Sequence, residues 1–199
     1  MAYRSGTYIA FHADGETNPT ASDMKYYSLL KGWRVRDDDF SFANSHEKTG
    51  AVRDSSRKET LRRALIARMN NSKHLLLIIG QTTKLDTDWV PFEIKYAVET
   101  CKIPIIVTYT GYNRIMDPSA LSHLWPAELS KAISNRQVGI IHIPFKKEPI
   151  ADAISQFDMN NHPKTTYFGW QPIGVWSTAE AAQAQQYGAK PGQVKYADL

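Results

Sequence analysis

The chain has 199 residues, about one domain with a remainder to explain. Hydrophobic residues at 42%, charged at 22% and aromatic at 11% exclude a disordered, collagen-like or low-complexity chain and allow a sizeable core. The balance of 24 Lys and Arg against 20 Asp and Glu, +4, demands no polyanionic partner, and the lone Cys101 excludes an internal disulfide and a multi-cysteine zinc site.

The first residues, MAYRSG, show no basic n-region followed by a long apolar h-region, and no stretch approaches about 18 apolar residues. A cytoplasmic protein without membrane contact is expected. A strand follows at residues 7–13 (TYIAFHA), then a helix whose Tyr26, Leu29, Leu30 and Trp33 fall at i, i+3, i+4 and i+7. A second strand is expected at 39–44 (DFSFAN). Next comes a helix striped by Leu61, Ala64, Leu65 and Met69, with Ser56 and Glu59 at capping-box spacing ahead of it. Residues 74–80 (HLLLIIG) read as a third strand. The helix after it carries Val90, Ile94, Ala97, Val98 and Cys101 inward, with Thr87 or Asp88 as cap and Pro91 in the first turn. Cys101 is thus core. Strands at 104–110 (PIIVTYT) and 138–145 (VGIIHIPF) alternate with helices inside 118–133 and 148–160.

Three of these strands are near-continuous apolar runs, as strands covered on both faces must be. The expected fold is α/β: a flavodoxin-like five-stranded parallel sheet, order 2-1-3-4-5, with helices on both faces. It occupies residues 1–160. Residues 161–199 form an aromatic-rich C-terminal extension, in which Tyr167, Phe168, Trp170 and Trp176 are too apolar for a free tail; docking on the domain or on a partner subunit is expected.

Such a sheet binds ligands outside the carboxyl ends of its strands at the switch point, here between the first and third strands. The loops there hold Phe11, His12 and Asp14, then Asn44, Ser45 and His46, then Gly80 and residues 86–93. Neither G-x-G-x-x-G nor a P-loop occurs, which argues against a dehydrogenase or NTPase. Glu93 follows Trp89 by four residues, so the two share a helical face, read as pointing away from the Val90/Ile94 stripe. One reading is a glutamate favoured by the helix macrodipole. The other is a carboxylate held ionised by that dipole and facing the loop after the first strand, where it can stabilise positive charge on a ribose as a glycosidic bond breaks. A pyridinium leaving group needs little acid help, so the N-glycosidic bond to nicotinamide is a sensible target, although the residues alone do not single it out.

Phe11 can equally be a strand-end core residue, and Asp14-Gly15 a turn. His12, His46 and His74 follow no ligand spacing, and no metal is expected. Arg57, Lys58, Arg62 and Arg63 read as the solvated face of an amphipathic helix, and no nucleic-acid partner is expected. The region is locally basic, with seven basic and two acidic residues between Arg53 and Lys73.

The segments TYIAFHAD, RDSSRKETLRRALIARMNNSKHLLLIIG and TDWVPFEIKYAVE together resemble the TIR-like domain of bacterial antiphage defence proteins, in particular the ThsB family of Thoeris systems, over residues 8–157. Trp89 with Glu93 four residues on is similar to the W-C-x-x-E signature of NAD-consuming TIR domains; Val90 stands where the signature cysteine would, and Pro91 and Phe92 precede the glutamate. The resemblance implies Glu93 as the catalytic residue. Phe11, His12, Asp14, Asn44 and Trp89 would bind substrate, and the loop opened by Asn44 would gate the site and mediate assembly into a homo-oligomer. NAD+ is implied as substrate, with no separate cofactor. The product would be a cyclic ADP-ribose isomer or a related ADP-ribose signal that activates a separate effector protein after an infection trigger. Two alternatives stay open: a non-catalytic TIR-like assembly module, and a nucleoside deoxyribosyltransferase-like N-glycosidase.

Overall fold

Apolar segments β1 (Gly6–Ala10), β3 (Ser72–Ile79), β4 (Ile105–Tyr109) and β5 (Ile140–Pro144) lie side by side in parallel, and β2 (Ala43–Asn44) adds a two-residue stub beside β1. The sheet order is β2-β1-β3-β4-β5. The computed structural model describes residues 4–13, 23–36, 43–44, 55–115, 117–163, 168–170 and 193–195, with backbone alone at 43–44, 55–58, 168–170 and 193–195. The described part is consistent with the flavodoxin-like order expected. Four strands form its body, because what is described of the second, expected at 39–44, is only two residues.

Every described residue of β1, β4 and β5 is buried, so alternation along the strands divides the apolar side chains between two cores. Tyr8, Leu75, Leu77, Val107 and Ile140 face one core, closed by Leu65 and Met69 of α2 (Ser55–Asn70), Val90 and Ile94 of α3 (Trp89–Tyr96), and Leu129 and Ile133 of α4 (Ala127–Asn135). Ile9, Leu76, Ile78, Ile106 and Ile141 face the other. Tyr27 and Leu30 of α1 (Met24–Arg36) and Ile150 and Ile154 of α5 (Lys147–Gln156) close that side. No described helix is long and apolar enough to cross a membrane.

Several local expectations need correction. On α1 the buried positions are Tyr27 and Leu30, while Leu29 is 45% exposed, because the helix is rotated to stack Tyr27 on Phe11 (ring centroids 4.9 Å apart). Helix α2 already includes Ser55, so Ser56 is not its cap, and Glu59 Oε1 instead accepts from Arg63 one turn on. The helix expected inside 118–133 is broken: a 3₁₀ segment, Pro118–Leu124, is capped by Asp117 Oδ1 on Ser119 N–H, and Trp125-Pro126 separates it from α4. Helix α3 widens into a π turn, Ala97–Cys101, and stops at Lys102 in the left-handed region (φ 52°). The whole predicted stripe of α3, Cys101 included, is buried.

After α5 the chain returns to the start of β5, where an added Cβ on Gly139 would lie 2.5 Å from the Pro163 carbonyl oxygen. Beyond it, β6 (Phe168–Trp170) and β7 (Gln193–Lys195) pair antiparallel, with β6 close to β5. Tyr167 and Trp176, which prompted the docking expectation, lie outside the described residues.

Candidate functional site

Two loops meet at the carboxyl ends of β1 and β3, and a carboxylate organises each junction. Asp23 opens α1, its carbonyl accepting from Tyr26 and Tyr27 N–H. Its side chain accepts from the Thr83 hydroxyl (2.8 Å) and from the His12 backbone N–H. Thr83 Oγ1 in turn accepts from Gly80 N–H at 2.7 Å. Gly80 is a positional requirement: an added Cβ would sit 2.1 Å from Asp23 Oδ1. Burial pushes the Asp23 carboxyl above its ordinary range, against the opposing pull of Thr83 and His12.

Asp86 does for α3 what Asp23 does for α1. Its Oδ1 accepts from Asp88 N–H (2.8 Å) and Trp89 N–H (2.9 Å), the bonds of an N-cap, whereas Asp88 makes no side-chain cap bond. Asp88, one of the two expected caps, does hold the N-cap position, but the capping side chain is that of Asp86, two residues ahead. Asp86 Oδ2 accepts from His12 Nδ1–H at 3.1 Å. One carboxylate thus ties the end of β1 to the start of the helix that bears Glu93.

Glu93 does not point away from the core stripe. Positions 90, 93, 94 and 97 share the i, i+3, i+4, i+7 face, and Glu93 is 5% exposed among them. Its Oε1 accepts a 2.6 Å hydrogen bond from the Tyr8 hydroxyl on β1. Nor is it held ionised: burial, reinforced by the Asp86 charge, pushes the carboxyl up to about 8 while the Tyr8 bond pulls it down. The dipole argument failed because a first-turn effect of the macrodipole is smaller than the cost of burying a charge.

Of the expected site residues, the fold brings Glu93, Trp89 and His12 together, His12 and Trp89 through Asp86. Phe11 is placed elsewhere. It packs with the second core against Tyr27, on the opposite side of the sheet from Glu93. Asn44 is in register with Thr7, and only its backbone is described. Asp14 lies outside the described residues, as do Ser45 and His46. His74 is a core residue: its Nδ1–H donates to the Phe157 carbonyl (2.8 Å), it pairs with Thr7 Oγ1 at 2.7 Å, and burial lowers it to about 4. Among the described residues no group of three or more His, Cys, Asp or Glu side chains is arranged to hold a metal ion.

Sequence reasoning missed Tyr8, Asp23, Thr83 and Asp86 as parts of this cluster. Tyr8 did carry a signal, as the one hydroxyl-bearing aromatic in a strand otherwise suited to aliphatic packing.

A parallel sheet in this order, with a carboxyl group buried near its switch point, is an α/β arrangement consistent with the flavodoxin-like type. The family model described as Thoeris protein ThsB, TIR-like domain, matches residues 8–114, more than half of the chain and a span that contains both Tyr8 and Glu93. The protein belongs to that family.

Proposed function

We propose that this protein is an NAD+-consuming enzyme of antiphage defence that breaks the nicotinamide–ribose bond. The observation that carries the reading is Glu93, an acidic side chain buried at the switch point on the helix that begins with Trp89. As nicotinamide departs with the bonding electrons, positive charge develops on the ribose anomeric carbon and ring oxygen. An adjacent carboxylate in a site of low polarity stabilises that charge far more than water does. Glu93 must ionise to act, and the cationic pyridinium of the substrate favours the ionised form.

His12, Trp89, Asp14 and Asn44 are assigned to substrate binding, with His12 held in one tautomer by Asp86. The ribosyl cation is captured within the same molecule or by another acceptor, yielding a cyclic ADP-ribose isomer or a related ADP-ribose signal for a separate effector. NAD+ enters as substrate and no further cofactor takes part. We place the reaction in the cytoplasm, in a homo-oligomer awaiting an infection trigger, with the fold completed as a five-stranded TIR-like domain over residues 1–160 and the extension, 161–199, docked on it or on a partner subunit.

The test is nicotinamide release from NAD+ in extract of infected cells, wild type against Glu93→Gln. Release by wild type and its loss in the variant are expected; equal release by both removes Glu93 from the mechanism. A second reading, assembly without chemistry, is favoured by one observation: Glu93 turns into the domain, where burial favours its neutral form. Concentration-dependent oligomers without nicotinamide release in that extract would establish it.

A further inference from the structure

Tyr8 and Glu93 meet across the core between β1 and α3, 0% and 5% exposed, with the hydroxyl 2.6 Å from Oε1. A phenol donating to a charged carboxylate makes a stronger bond than one donating to a neutral acid, so this contact favours the charged form. Asp86 acts the other way, as a negative charge in the turn that precedes α3. It cannot swing aside, because Oδ1 is held by Asp88 and Trp89 N–H and Oδ2 by His12. Among the described residues the other charged groups acting on the pair are Arg68 of α2, which acts on Tyr8, and His12, already bonded to Asp86; α4, packed on α3, contributes the apolar Leu129, Ala132 and Ile133 to the same core.

Resting on the assignment of Glu93 as the catalytic carboxylate, we propose that Tyr8 and Asp86 are positioning residues that set the charge of Glu93 in opposite directions, the Tyr8 hydroxyl toward the carboxylate and Asp86 toward the neutral acid. Catalysis is then gated at a hydrogen bond beneath the substrate site. Turnover rises with pH as Glu93 ionises, and the two residues move that rise in opposite senses.

The test is a carbon-13 NMR titration of the full-length protein with side-chain-labelled glutamate, using loss of a resonance in Glu93→Gln for assignment. Tyr8→Phe is expected to move the Glu93 midpoint upward by about one pH unit, the effect of removing one charge-assisted bond. Asp86→Asn keeps an oxygen for the helix cap and is expected to move the midpoint downward. The pH profile of nicotinamide release should shift with each midpoint, leaving Tyr8→Phe about tenfold slower at neutral pH. A wild-type midpoint in the ordinary carboxylate range, a downward or absent shift in Tyr8→Phe, or two variants moving together overturns the proposal. If Tyr8→Phe fails to fold, the wild-type midpoint and Asp86→Asn decide. Midpoints that separate as expected in a protein that releases no nicotinamide would uphold the positioning roles while refuting the enzymatic assignment.

Discussion

Two polar networks are built into the same face of the sheet, one under β1 and β3, the other between β4 and β5. In the second, Trp125 Nε1–H donates to the Tyr109 hydroxyl (2.7 Å), which is hydrogen-bonded to His142 Nδ1 (2.7 Å), with the three rings arranged around one another. Neither link involves a carboxyl group, and burial pushes Tyr109 further from ionising. The first network instead gathers the carboxyl groups of Asp23, Asp86 and Glu93 around His12 and Tyr8. A chain of hydrogen bonds without carboxyl groups can be satisfied at low cost in a core, whereas a buried carboxyl beside a second negative charge holds its proton more tightly, as Glu93 does beside Asp86. The β4–β5 network links hydroxyl, indole and imidazole groups in the core, whereas in the β1–β3 network burial and the Asp86 charge push Glu93 upward.

The largest expected effect separates the two directly. Glu93→Gln should lower nicotinamide release by about 10²–10³-fold, the scale of losing one preorganised electrostatic partner, while Tyr109→Phe should leave release within a fewfold of wild type. Single-turnover assays in activated extract would measure both. Stability should sort the other way for neutral substitutions at the β4–β5 site: Tyr109→Phe strands the Trp125 N–H and is expected to cost about 1–3 kcal/mol in urea unfolding. Gly80→Ala, which forces a Cβ onto Asp23, should cost about 2 kcal/mol by the same measurement, because Asp23 is held by Thr83 and His12 and cannot yield.

The pH dependence of stability should carry the signature of the first network. Glu93, raised from 4.5 to about 8, keeps its proton in the folded state after the unfolded chain has lost it, so its contribution declines as pH rises from 4.5 to 8. His74, lowered from 6.5 to about 4, has the opposite sign: the unfolded chain binds the extra proton, and stability gained between pH 4 and 6.5 is complete above it. The two slopes oppose each other below pH 6.5, leaving a decline from 6.5 to 8 that Glu93→Gln should remove. Thermal melts at successive pH values would detect it. The smallest effect belongs on the outer face of α2, where replacing Arg63, 76% exposed in its pair with Glu59, should change stability by less than about 0.5 kcal/mol.

The order of the elements and both core faces were legible because an apolar side chain has few alternatives to burial. The buried stripe of α3 emerged complete for that reason, Cys101 included. What misled was the polar member of the same stripe. Glu93 fits the helical period of Val90, Ile94 and Ala97, yet a glutamate reads as outward unless a partner is known, and its partner Tyr8 lies 85 residues away in sequence. Phe11 was open in both senses, as a substrate contact or a strand-end core residue, and only its stacking on Tyr27 shows that it packs with the second core.

Local sequence, through period and cap chemistry, thus determined that this chain alternates strands and helices, that its strands are covered on both faces, and that Trp89 and Glu93 begin the helix after β3. Only the tertiary structure decided which way Glu93 faces, that Asp86 joins its helix to His12, and that burial pushes the carboxyl upward to about 8. Burial and charge coupling depend on groups brought together from distant parts of the chain, and neither is a property of any short stretch of it.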